Sequence, residues 1–211
     1  MNLLREYIRE MLLTEAAKGP QDLPDGVHIV IDTWGRVASA AIHYADENGK
    51  AIVATRDGPW GEMFIVDVAD RTDTGPCGGA WKLSSVNAGS GWGPMLYDVA
   101  MEWATVMGGG LIADRTAVSP EARRVWDYYF MRRGDTEAHQ LDDLENTLTP
   151  VEEDNCDQEV AGFDVNRPAG GKYSPRKKAD VDWVESPLSK RYTKKPATMD
   201  ALRSAGKLVE K

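Results

Sequence analysis

The chain has 211 residues, 42% hydrophobic and 28% charged, enough for one globular domain with appendages. Its 34 acidic and 25 basic residues give a formal net charge of -9, which argues against a nucleic-acid coat, since such a surface must be basic to release counterions from phosphates. No run approaches the ~18 apolar residues of a membrane span. The two cysteines, Cys77 and Cys156, match no metal spacing and are too few for a disulfide framework, so a reducing compartment is expected, with a single pair left open.

Residues Met1–Ala16 form a separate unit. Leu3, Leu4, Tyr7, Ile8, Met11 and Leu12 recur at helical spacing, with Arg5/Glu6 and Arg9/Glu10 between them. Charges interrupt any secretory h-region, and Glu6, Glu10 and Glu15 are foreign to organellar transit peptides. The linker Lys18–Gly26 (KGPQDLPDG) breaks the helix. One reading of this unit is a helix that docks on the domain or on another subunit. It also resembles the capsid-targeting leaders of internal head proteins in large tailed bacteriophages, which end in a Leu/Ile-x-Glu site cut before a small residue. Leu13-Thr14-Glu15-Ala16 fits that site. The resemblance implies cleavage between Glu15 and Ala16, a capsid or scaffold partner for residues 1–16, and residence in a virion interior or the host cytoplasm.

The stretch from Gly26 to about Asp70 reads as an antiparallel meander. Val27–Thr33 alternates and is β-branched; Val37–Ala45 and Ala51–Thr55 flank Asn48-Gly49, a hairpin signal. Asp57-Gly58-Pro59 is a turn, Met63–Val68 a further strand and Asp70–Gly79 a loop. Ala80–Val86 is the last strand before the region that carries chemistry.

That strand runs into Asn87-Ala88-Gly89-Ser90-Gly91-Trp92-Gly93, and Pro94 opens a helix, Pro94–Met107. Strand, glycine loop and helix N-terminus together make an anion site. Backbone N–H groups point outward, the helix dipole favours negative charge, and glycines let a phosphate come close. Gly108-Gly109-Gly110 ends the helix, Leu111–Asp114 is a short strand, and Ser119-Pro120-Glu121 caps a second helix with Ala122, Val125, Trp126, Tyr129 and Phe130 on one face. A Walker loop needs Gly-Lys-Ser/Thr, which is absent, and a Rossmann fingerprint needs an early βαβ unit, which the strand run precludes. A tight turn remains the plain alternative.

Strand run, glycine loop, helix, strand and helix in this order resemble the GNAT superfamily of N-acetyltransferases. Gly91-Trp92-Gly93-Pro94-Met95-Leu96 stands where that family has Gly-x-Gly-x-x-Leu. The resemblance covers roughly residues 37–134. It implies an α+β fold: a central, mostly antiparallel twisted sheet flanked by helices, with residues 27–140 as the domain. It also implies a CoA thioester, acetyl-CoA, bound through Gly89, Ser90, Gly91, Trp92 and Gly93, with no metal. Acyl transfer to an amine would use a tyrosine as acid toward the leaving thiolate: Tyr129 first, Tyr128 second. Glu62 and Asp67 are base candidates by chain position, with surface solvation as the plain reading; His43 is a third, and Ser84 and Ser85 lie on the strand before the loop. The chain departs from the family in four places. Its Arg/Gln position is Ala88, Ala122 to Gly134 spans twelve residues rather than the family's eight, the strict Tyr position is Trp126, and the final strand pair is hard to find. A catalytically silent GNAT-like binding domain and an internal virion component are the alternative functions.

After Gly134 the character changes. Asp135–Asp164 holds many acids and no Lys or Arg, whereas Lys172–Lys195 is basic, with Tyr173 and Trp183 as possible stacking residues. Residues 141–211 therefore read as an acidic then basic tail, partly disordered or wrapping the domain, with a short final helix in Thr198–Lys211. The acids lack calcium-loop spacing and read as solvated surface or as partners of the basic block.

Overall fold

Alternation of buried and outward residues builds the first half of the chain into a meander. In the computed structural model, which describes residues 17–34, 39–54, 58–68, 74–114, 118–157 and 184–211, four strands follow one another antiparallel: β1 (His28–Trp34), β2 (Ser39–Ala45), β3 (Gly61–Asp67) and β4 (Trp81–Ala88). Paired positions put Ile29, Ile31, Ile42, Tyr44, Met63, Ile65 and Leu83 on one face, all buried. The Asn48-Gly49 turn forms, with the Asp46 carboxylate accepting the Asn48 and Lys50 amides at 2.9 and 3.0 Å. Of the strand expected over Ala51–Thr55, residues 51–54 are described, and they do not continue the ladder. Ala51 bridges Ala45, Ile52 donates to the Tyr44 carbonyl at 2.9 Å, and the arm leaves the sheet.

Beyond β4 come α1 (Gly93–Met107), β5 (Leu111–Ile112) and α2 (Pro120–Met131). The Ser119 hydroxyl caps α2, accepting the Ala122 amide at 3.2 Å. Helix α1 is buried almost all round, from Met95 to Ala104, and shares one core with the helix-side face of the sheet and with Trp126 and Tyr129 of α2. Then follow β6 (Thr136–Gln140), β7 (Lys190–Lys194), α3 (Ala197–Ser204) and β8 (Leu208–Glu210). The eight strands form one mixed sheet in the order β6-β7-β5-β4-β3-β2-β1-β8. Among the described strands only the β4/β5 and β1/β8 neighbours are parallel, so the sheet is mostly antiparallel as expected, and the fold is a mixed α/β one.

Residues 184–211 are where reading and structure part. Rather than a tail, they supply β7, α3 and β8, and β7 lies between β5 and β6. Charge disguised the strand. Lys190, Tyr192 and Lys194 point inward and are buried, each lysine with oxygen partners: Gln140 and the Val184 carbonyl for Lys190, Glu102 for Lys194. The final helix stops at Ser204, and Gly206, at φ +67°, turns the chain into β8.

On the opposite face of the sheet, Cys77 and Cys156 form a disulfide, with Cα atoms 4.5 Å apart, over Val68, Ala80, Ile112 and Leu141. The acidic stretch beside it is not all solvated surface. Asp142 is buried, and its carboxylate accepts the amides of Asp143, Thr147, Leu148 and Thr149 at 2.7, 3.1, 2.7 and 2.6 Å. Burial opposes its ionisation, but these four amides prevail and hold its pKa below the usual value.

Candidate functional site

Strand β4 lies in the middle of the sheet, yet half of it lacks a neighbour on one side. It pairs with β3 from Trp81 to Ala88, but with β5 only at Trp81 and Lys82. Among the described residues β4 has no strand partner on the β5 side from Leu83 onward, so the parallel pairing ends after two residues. The β3/β4 register shifts between Phe64 and Ile65, which leaves Ser84 without a partner in the ladder, a bulge. Ser84, Ser85 and Asn87 are exposed although their strand is central.

The glycine loop at the end of β4 has a closed and an open side. Gly89 is closed in: its amide donates to the Trp60 carbonyl at 3.0 Å, and a Cβ there would lie 2.8 Å from the Trp60 Nε1. Trp92 is closed in too. It is buried, packs edge-on against Tyr44 at 5.7 Å, and accepts the Tyr44 hydroxyl on its carbonyl at 2.6 Å. The open side is Ser90, Gly91 and Gly93. Gly91 has φ +79°, which a side chain would strain, whereas a Cβ on Gly93 would meet only the Ala88 Cβ, at 3.7 Å. Among the described residues no acceptor meets the Ser90 or Gly91 amide, and no side chain caps α1. Ala88 brings no charge to the turn, but the Lys18 amide donates to the Gly91 carbonyl at 2.9 Å, which fixes an exposed lysine beside it.

Tyr129 is buried, and its hydroxyl donates to Asp98 at 2.7 Å. Burial first, then the Asp98 charge, push its pKa well above the ordinary phenol value. Burial also raises the pKa of Asp98, against Arg133 at 3.2 Å. Arg133 reaches Asp135 through two bonds of 2.6 Å, Lys194 lies 3.3 Å from Asp135, and Lys194 pairs with buried Glu102. Glu102 accepts the Thr198 and Met199 amides at 2.9 and 2.7 Å and so caps α3. Tyr129 thus belongs to a polar network joining α1, α2, β7, α3 and the turn at residues 133–135 before β6. Tyr128 is half-buried, edge-on to Tyr129 at 5.9 Å and beneath the Arg133 guanidinium. Tyr97 of α1 packs at 5.7 Å from Trp126 and 6.3 Å from Tyr129, and its buried hydroxyl has no partner among the described residues.

His43, Glu62 and Asn87 form one row across β2, β3 and β4 on the face away from α1. The His43 Nδ1 lies 3.9 Å from Asp32, and burial lowers its pKa, so the ring is neutral at pH 7. Asp67 sits at the other end of β3, opposite Trp81. Glu15, Ala16, Tyr173 and Trp183 lie outside the described residues. Among the described residues no group of three His, Cys, Asp or Glu could hold a metal ion, and no helix is long and apolar enough to cross a membrane. Lys18, Trp60, Tyr97 and Asp98 were not among the sequence candidates. Trp60, two positions before Glu62, was the nearest to a legible signal.

No family model matches this chain, and no curated protein or solved structure does so either.

Proposed function

We propose that the chain binds a CoA thioester in the manner of a GNAT domain. The observation that carries the reading is the half-free central strand: β4 loses β5 after Lys82, bulges at Ser84 and ends in an open glycine turn at a helix N-terminus. Unpaired strand edges take extended ligands through backbone hydrogen bonds, as a neighbouring strand would. The amide chain of pantetheine suits the edge from Leu83 to Ala88. The pyrophosphate suits the Ser90 and Gly91 amides and the first turn of α1, with Lys18 supplying the cation that Ala88 does not.

Acyl transfer to an amine is the activity such a site would serve, with Tyr129 or Tyr128 as the acid. Binding has the stronger support of the two. The Tyr129 proton is held by Asp98, and a phenol with a raised pKa is a poor donor toward a thiolate. That observation favours the second reading, a GNAT-like binding domain without catalysis. Neither reading depends on the leader or on packaging in a phage head.

Calorimetric titration of CoA tests the proposal. Saturable binding is expected, lost in Gly93→Val with an unchanged melting temperature, because a Cβ on Gly93 meets only the Ala88 Cβ, at an ordinary contact distance of 3.7 Å. Gly91→Val should lose binding and stability together, because its φ is positive. No saturable heat at millimolar CoA, or wild-type affinity in Gly93→Val, would remove the reading.

A further inference from the structure

Outside the glycine turn, a cleft of about 250 Å³ lies at the ends of β2, β3 and β4. Its floor is the row His43, Glu62 and Asn87, and its walls are Trp60, Gly61 and the arm Ala51–Ala54. Drug-sized ligands occupy roughly 300–1,000 Å³, so this one suits something smaller.

Among the described residues the lining is aliphatic and aromatic, with a single carboxylate, Glu62, and no Lys or Arg. Among the described residues no lysine or arginine pairs with Glu62. His43 is uncharged at pH 7 and can offer a ring nitrogen, and Asn87 can offer its carbonyl. Trp60 supplies an indole, the best ring for holding a cation. An anion would face Glu62 directly. A metal ion would find one carboxylate and, among the described residues, no cluster of ligands.

We infer that this cleft binds a small organic monocation, an alkylammonium, with Glu62 as counter-ion and Trp60 as the apolar wall. Trp60 also supports the glycine turn, since its carbonyl accepts the Gly89 amide and its indole lies against the Gly89 backbone. The cleft therefore adjoins the turn through one residue. On the CoA reading, on which this last step alone rests, the cation is the acceptor amine before it loses its proton.

The test uses the full chain without CoA and follows the Trp60 indole N–H by NMR during titration with butylammonium chloride. A saturable shift in the millimolar range is expected, with none from sodium butyrate. Glu62→Gln should weaken binding at least tenfold, whereas Glu137→Gln, an exposed carboxylate on β6, should not. Glu62 is exposed, so the variant should fold, and an unchanged melting temperature checks this. A non-saturating shift, an equal response to butyrate, or unchanged affinity in Glu62→Gln overturns the inference. CoA binding without butylammonium binding removes the cleft alone, and the converse removes the CoA reading and leaves the cleft.

Discussion

Two tyrosines that pack on each other should respond to the same substitution with opposite signs. The Tyr97 hydroxyl is buried without a partner among the described residues, a state that costs about 1–3 kcal/mol. Tyr97→Phe keeps the ring against Trp126 and removes only that oxygen, so it should stabilise the protein by about 1 kcal/mol. The Tyr129 hydroxyl, in contrast, donates 2.7 Å to a carboxylate that is itself buried. A hydrogen bond to a charged group contributes about 1.5–3 kcal/mol, so Tyr129→Phe should destabilise by about 2 kcal/mol. In a chain of this size 1 kcal/mol moves the melting temperature by about 2–4 °C, which puts the variants roughly 3 °C above and 6 °C below wild type. Scanning calorimetry at pH 7 resolves that separation. If Tyr97→Phe falls as far as Tyr129→Phe, the Tyr97 hydroxyl has a partner and the argument fails. If Tyr97→Phe melts higher yet binds CoA more weakly, its hydroxyl is held for the ligand.

The Cys77–Cys156 bond closes a loop of 79 residues, which in the chain-entropy model contributes about 4.5 kcal/mol. A reducing agent should therefore lower the melting temperature by roughly 14 °C, and identical curves with and without reductant would show that the bond is idle. For Asp142 the sign follows from its depressed pKa. The stabilisation is present above the unfolded carboxyl value, ~3.9, and is lost as pH falls through the lower folded value. Asp142→Asn should cost about 2–3 kcal/mol at pH 7, and the gap to wild type in urea midpoints should shrink toward pH 2; an equal gap at both pH values refutes the electrostatic account.

Apolar periodicity made α1, α2 and β1 to β4 legible to within two residues, because each buries a stripe of uncharged side chains. It failed at β7, whose inward positions are Lys190, Tyr192 and Lys194. A buried lysine reads as surface until its partner is known, and Glu102 lies 92 positions earlier on another element. The glycine loop could be located from sequence, but not its division into closed and open sides, which depends on Trp60 and Tyr44. The commitment of the Tyr129 hydroxyl to Asp98, 31 positions away, was equally out of reach.

The order in which the sheet is assembled has a consequence for synthesis. β8 pairs with β1, and the Thr33 hydroxyl donates to the Lys211 carbonyl across 178 positions. β7 enters between two strands made long before it. On the ribosome, β1 to β4 emerge early but keep an open edge at β1, and β5 waits beside an empty slot. Non-local pairings of this kind slow folding, and open edges recruit other chains meanwhile. Nascent or C-terminally truncated chains should therefore be the aggregation-prone forms of this protein. Overexpression at low temperature, where hydrophobic association between open chains is weaker, should raise the soluble yield.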